Sequence, residues 1–449
     1  MTRTLITNAH VATVDADDTE FASADVLLEG NRIAAVGPGL GADGVDRTVD
    51  AGGRLLTPGL VNTHHHFYQW LTRGLATDRI LFDWLTALYP TWARIDAGLT
   101  HTAARGSLAA LALTGCTTAS DHHYVFPREG GDCLAAEIEA AARTGIRFTA
   151  CRGSMDLGES DGGLPPDFAV EETEQALAAT EAAVDRWHDP SFGSMLHIAV
   201  APCSPFSVTA ELLKRSAELA RRKGVRLHTH GSETVEEAGY LEEKTGQSPT
   251  EYLESNGWLG EDVWMAHCVH LSDGDIVAFA RTGTGVAHCP SSNGRLGAGI
   301  ARTADLLRAG VPVGYGVDGT ASNESGELGS ELRNSLLVGR IRSGADALTA
   351  RDALRIGTMG GARVLGRQDE IGSIEAGKLA DLVLWDTSTF WHSSIADPVA
   401  ALALGALPRI ALSLVDGRPV VEDGHLVTDD EDDIARATRA GARELASRG

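Results

Sequence analysis

Positive charge is scarce in this chain: 38 lysines and arginines stand against 62 aspartates and glutamates in 449 residues, a formal net charge of −24. A surface of that sign repels phosphate backbones and anionic lipid, which excludes nucleic acid and membrane as partners. No apolar run spans a bilayer, since the most apolar late segment, 399–415, is interrupted by Pro408 and Arg409. The first eight residues lack the apolar core of a secretory signal, so a cytoplasmic location is expected. The six cysteines (Cys116, Cys133, Cys151, Cys203, Cys268 and Cys289) include no CxxC pair, which argues against a zinc knuckle or redox dithiol and for reduced, buried thiols. The HExxH motif is missing, and so is the cysteine-ligated deaminase signature, because Cys289-Pro290 is followed by Ser291-Ser292.

What is present begins at residues 57–66, Thr-Pro-Gly-Leu-Val-Asn-Thr-His-His-His, a buried strand opened by Pro-Gly and ending in three histidines. Side chains two apart on a strand share a face, so His64 and His66 point together and His65 points away. Two imidazoles are half of a metal site. Short apolar runs then recur between stretches of helical spacing, at 60–66, 117–122, 147–152, 196–203, 225–230, 263–269, 285–289 and 311–317. Eight such β/α repeats are the count for a closed (β/α)8 TIM barrel of the α/β class. A doubly wound open sheet is the alternative, but it wants a glycine-rich phosphate fingerprint after its first strand, where this chain has histidines. Strand-like alternation at 4–14 and 24–37, and again at 381–385 and 411–421, places a small β domain at the two ends of the chain. The expected division is 1–56 and 370–449 for the β domain and final helix, with 57–369 as the barrel. The acidic run 429–433 reads as a solvated turn.

In such barrels chemistry sits at the C-terminal strand ends. The fifth strand ends His228-Thr229-His230, the sixth at His267 and the eighth at Asp318. His64, His66, His230 and Asp318 with an open position for water are what a catalytic divalent ion needs, and zinc and iron suit the set alike. Two-metal barrels bridge their ions with a lysine or glutamate on strand four, but this chain has no lysine before Lys214 and no glutamate in 197–203, so one metal is expected. Glu233, just past the fifth strand end, can shuttle a proton to a departing nitrogen. Asp318 can take the proton of the activated water, and His267 faces the same water. This is chemistry for hydrolysis at an electron-poor carbon.

With these residues in place, the chain resembles the amidohydrolase superfamily, in the mononuclear branch of aromatic deaminases and triazine hydrolases. The resemblance rests on 56–66, 230–233, His267, Asp318 and the closing Ile371-Gly372-Ser373-Ile374-Glu375-Ala376-Gly377-Lys378-Leu379-Ala380-Asp381. It implies that the terminal segments form a β-sandwich, that His64, His66, His230 and Asp318 are ligands, and that the protein is a homo-oligomer. Within the branch, 65–69, 83–86, 120–122, 152–155, 160–167 and 201–206 are similar to 8-oxoguanine deaminases, while Gly231-Ser232 beside Glu233 departs from the pattern.

The reaction expected is removal of an exocyclic amino group from 8-oxoguanine, giving urate and ammonia, with isocytosine as a further substrate. A triazine chlorohydrolase or aminohydrolase, or a non-catalytic metal-binding barrel, are the alternatives. Gln69 offers an amide to the edge of a heterocycle. Tyr68, Trp70 and Trp84 offer rings for stacking, Cys203 comes with the resemblance, and 152–167 is a candidate lid.

Overall fold

Gly59 is where the chain passes from one sheet to another in the computed structural model, which describes residues 2–448. A β-carbon at Gly59 would lie 2.0 Å from the Thr117 hydroxyl, so only glycine fits the crossing. Before it come β1 (Arg3–Ala12), β2 (Glu20–Glu29), β3 (Arg32–Gly37), β4 (Arg47–Asp50) and β5 (Leu55–Pro58). After it come β6 (Leu60–Asn62), β7 (Cys116–His123), β8 (Arg147–Ser154), β9 (Leu196–Pro202), β10 (Leu227–Gly231), β11 (Val263–His267), β12 (Gly285–His288) and β13 (Val313–Tyr315). The last strands are β14 (Leu382–Asp386), β15 (Arg409–Val415), β16 (Arg418–Glu422) and β17 (His425–Leu426).

Strands β6 to β13 pair in parallel into a closed eight-stranded barrel, as the repeat count predicts. The terminal strands form one nine-stranded sheet in the order β17-β16-β15-β14-β5-β1-β2-β3, with β4 on β1. Its far end curls back: Asn31 donates to Asp416 at 2.9 Å and its carbonyl accepts from Ala380 N at 2.8 Å. The resulting sandwich buries Ile6, Val26, Leu28, Leu382, Leu384 and Leu412 in one core. Arg147, buried on β8, clasps Asp381 through Nε at 2.9 Å and Nη2 at 3.1 Å, fixing the sandwich to the barrel. No helix among the described residues is long and apolar enough to cross a membrane. All six cysteines are free and buried.

Three strands stop two or more residues short of the ends of their apolar runs. β6 ends at Asn62, because Thr63 turns its N–H and hydroxyl onto the Tyr315 carbonyl, at 2.8 and 2.9 Å. β11 ends at His267, where φ is +72° and that of Cys268 is +50°, a left-handed turn that no strand continues through. β13 ends at Tyr315, short of Val317 and of Asp318, whose φ is +64°. The acidic run is also not simply solvated: Asp430 caps the helix Glu431–Ser447, and Asp429 is held by Arg105 at 2.8 and 2.9 Å and Arg143 at 2.8 Å.

Candidate active site

The histidine segment is strung between its two neighbouring strands. Asp318 N donates to the His64 carbonyl at 3.1 Å on one side, and His122 N to the His65 carbonyl at 2.7 Å on the other. The Phe67 N–H donates to Asp121 at 2.5 Å, closing the segment. His64 and His66 converge although they lie beyond the strand, and His65 turns away, its Nδ1 accepting the His66 N–H at 2.8 Å.

Hydrogen-bond partners fix how the three converging imidazoles are protonated. His66 Nδ1 faces the His122 carbonyl at 2.7 Å, and His230 Nδ1 faces the Cys203 carbonyl at 2.6 Å. A carbonyl only accepts, so both Nδ1 atoms carry hydrogen and, in the neutral ring, both Nε2 atoms carry lone pairs. For His64 the chain is one residue longer. His228 Nδ1 donates to the Trp264 carbonyl at 3.1 Å, so its Nε2 accepts from His64 Nδ1 at 2.8 Å, leaving His64 Nε2 a lone pair as well. Burial holds His64 and His230 well below the ordinary imidazole value, keeping them neutral.

Two of these lone pairs meet a carboxylate, and the third meets a neighbouring ring. Asp318 Oδ1 lies 3.4 Å from His64 Nε2 and 3.2 Å from His66 Nε2, and the Nε2 atoms of His66 and His230 are 3.2 Å apart. Lone pairs so arranged repel unless a cation lies among them, and His64 Nε2 is buried with no hydrogen-bond partner in the protein. The donor set therefore fits a divalent metal, with imidazole and carboxylate ligands and each second nitrogen already engaged. The Asp318 carboxylate is held in place by three donors. Its Oδ2 accepts from Ser292 at 2.5 Å and Ser322 at 3.1 Å, and its Oδ1 from Gly319 N at 2.6 Å.

Glu233 stands at the turn leaving β10. Ser232 takes φ +52° there, and the Glu237 carboxylate accepts the N–H groups of Ser232 at 3.0 Å and Glu233 at 2.7 Å. This turn, where the sequence departs from the family pattern, brings Glu233 Oε2 to 3.5 Å from His267 Nε2. His267 is oriented by Asn293 Oδ1 at 2.9 Å from its Nδ1, and its Nε2 lies 4.0 Å from Asp318 Oδ2. Burial, with the negative charges of Asp318 and Glu237 adding to it, raises the Glu233 carboxyl well above its ordinary value. A carboxyl shifted in this direction is suited to donating a proton.

These groups open into a small cavity. Gln69, Trp84 and Cys203 line it, together with His66, His230, Glu233, His267 and Asp318. Tyr68 does not. It packs edge-on against Trp92, His123 and Tyr124 behind the wall, and Tyr124 takes the facing position. Trp70 faces away too, its ring under the Arg73 guanidinium at 3.8 Å. Residues 152–167 do not line the cavity but back its wall, with Leu164 N donating to the Phe206 carbonyl at 3.3 Å. The helix Leu81–Trp92 covers it instead, through Leu81, Trp84, Leu85 and Tyr89. Tyr89, Tyr124, Phe206, Asn293 and Leu296 were not singled out by sequence; the spacing 81, 84, 85, 88, 89, 92 reads as a core face.

Comparison with known proteins agrees with this geometry. The amidohydrolase family model matches residues 55–421. The 8-oxoguanine deaminase of Pseudomonas aeruginosa is 44% identical over 94% of this chain and 95% of its own. The hydroxydechloroatrazine ethylaminohydrolase of a Pseudomonas species is 35% identical over 97% and 94%. The crystal structure of the atrazine chlorohydrolase of Arthrobacter aurescens TC1, complexed with zinc, superposes with a TM-score of 0.93 at 34% identity, covering 98% of this chain and all of that one. With most of its length matched and a buried histidine–aspartate group at the strand ends, the chain belongs to the amidohydrolase family and is a hydrolase of carbon–nitrogen bonds.

Proposed function

We propose that the enzyme hydrolyses the exocyclic amino group of 8-oxoguanine, giving urate and ammonia, and takes isocytosine, which carries the same amidine beside a carbonyl. The observation that carries the reading is the buried Glu233–His267 contact over the lone-pair group, at 3.5 Å. Deamination needs a proton at the departing nitrogen, and Glu233 stands beside His267 where it can deliver one. The choice of ring rests on the 44% identical deaminase.

In this reading His64, His66, His230 and Asp318 hold one divalent ion, zinc or else iron, which supplies the Lewis acidity that brings the pKa of water toward ~7. Asp318, anchored by Ser292 and Ser322, takes the proton of the attacking water. His267, its Nδ1 turned to Asn293, keeps its Nε2 lone pair on that water and aims it at the ring carbon. Glu233 protonates the nitrogen as the carbon–nitrogen bond breaks, so that ammonia leaves. Gln69, Trp84 and Cys203 contact the ring from the cavity wall. One water is consumed and one ammonia released per urate formed.

Hydrolysis of a triazine is the second reading, favoured by the chlorohydrolase and ethylaminohydrolase relatives. Glu233 argues for an amine over chloride, which leaves without a proton. Ammonia release from 8-oxoguanine, guanine, isocytosine, cytosine and an aminotriazine separates the two. Turnover of 8-oxoguanine and isocytosine supports the first, and turnover of the triazine alone overturns it.

A further inference from the structure

Glu331 is fully buried, and its two carboxyl oxygens hold the segments that leave two neighbouring barrel strands. It stands in the first turn of the helix Leu328–Ser343, where the helix dipole favours negative charge. Its Oε2 accepts the Ser291 N–H at 3.2 Å, on the segment that follows β12. Its Oε1 accepts from Asn323 Nδ2 at 2.9 Å, on the segment that follows β13. A buried carboxyl group is costly unless its polar atoms are paired, and here both oxygens are.

The residues beside those two contacts are the ones that hold the reacting groups. On the first segment, Ser292 donates to Asp318 Oδ2 at 2.5 Å, and Asn293 Oδ1 lies 2.9 Å from His267 Nδ1. On the second, Ser322 donates to Asp318 Oδ2 at 3.1 Å, and its hydroxyl lies 2.9 Å from that of Ser292. Asn323 gives its other amide hydrogen to the Val317 carbonyl at 3.0 Å, one residue before Asp318. Asp318 itself takes φ +64°, which a non-glycine residue keeps only where its surroundings fix it. Glu331 does not line the cavity, so whatever it does to the reaction passes through these two segments.

We propose that Glu331 is a positioning residue, which ties the segments after β12 and β13 together and so sets Asp318 and His267 relative to one another at the attacking water. The inference rests on the deaminase reading above for the roles of those two groups. Groups that orient a ligand from behind are worth about 10- to 100-fold in metal affinity or activity. Glu331 differs from the serines in holding both segments at once.

The test is Glu331→Gln, which keeps the volume but has one accepting oxygen where the carboxyl has two, so one of the ties is lost. Zinc affinity is measured by competition against a chromophoric chelator, kcat and KM for 8-oxoguanine in zinc-saturated protein, and melting temperature alongside. Glu331→Gln is expected to bind zinc about tenfold more weakly and, when saturated, to lose about ten- to a hundredfold in kcat. KM should hold, because Asp318 and His267 act on the water. Within one hydrogen-bond network effects are not additive, so the same change should cost less in a Ser292→Ala background. A variant that melts lower but keeps wild-type zinc affinity and kcat, or one whose losses are the same with and without Ser292, would overturn the inference. Wild-type protein that releases no ammonia from 8-oxoguanine would instead overturn the deaminase reading, and the zinc affinities, which need no substrate, still decide whether the tie sets Asp318. Should Glu331→Gln not fold, Asn323→Ala, which removes one tie and leaves the carboxyl, decides by the same affinity and kcat.

Discussion

The Nε2 atoms of His66 and His230 stand 3.2 Å apart with both lone pairs facing inward, because each ring has given its only hydrogen to a backbone carbonyl. Only a cation relieves that arrangement. Removing metal with a chelator is expected to abolish turnover and lower the melting temperature, since binding to the native state alone is stabilising. Zinc or iron(II) should restore both, and magnesium or calcium should not, because a set of three imidazoles disfavours hard ions. A chelated protein that melts unchanged would contradict the account.

His228 sets the tautomer of His64 without belonging to the lone-pair group. Its Nε2 accepts from His64 Nδ1 at 2.8 Å. Replacing it with alanine frees His64 to turn or to protonate the wrong nitrogen, and metal affinity should fall about 10- to 100-fold. Competition against a chromophoric chelator measures this directly, and an affinity equal to wild type would mean that packing alone orients His64.

Glu137 gives the stability a pH dependence of defined sign. His123 Nε2 faces the Val125 carbonyl at 2.8 Å and so carries hydrogen, leaving its Nδ1 to accept from Glu137 at 2.6 Å. Glu137 is therefore the protonated partner, and burial pushes its carboxyl up from 4.5 to about 8. Below the lower value the folded and unfolded chains both hold the proton. Between the two the unfolded chain releases it and the folded chain does not, so stability falls as pH rises, by at most about 1.4 kcal/mol per pH unit. Glu137→Gln keeps a donor toward His123 and removes the slope. Melting curves of the two proteins between pH 5 and 8 check this: they should diverge, with the wild type losing more as pH rises.

The parts legible in sequence were those that a period or a strand end fixes. His64, His66, His230, His267 and Asp318 fall at the C-terminal ends of runs whose parallel pairing places them at one mouth. Which atoms of those rings carry hydrogen was not legible, because that is decided by carbonyls of Cys203, His122 and Trp264, far away in sequence. Tyr68 and Gln69 are adjacent, yet the tight turn Phe67–Thr72 sends one into the core and the other to the cavity. Tyr89 was hidden for another reason: an apolar helical face has the same spacing whether it covers a core or an empty space. Asp429 was hidden because charge alone reads as solvation, and its partners Arg105 and Arg143 come from helices some 300 residues earlier.

The central claim is a single hydrolytic transfer with Glu233 as the proton carrier. Wild type and Glu233→Gln, matched for bound metal, are supplied with 8-oxoguanine in water enriched in oxygen-18, and urate and ammonia are quantified together. The account predicts one labelled oxygen per urate and one ammonia per turnover from wild type, and a variant slower by about 10²–10⁴-fold. Labelled urate formed by Glu233→Gln at the wild-type rate, or urate without label, would contradict it.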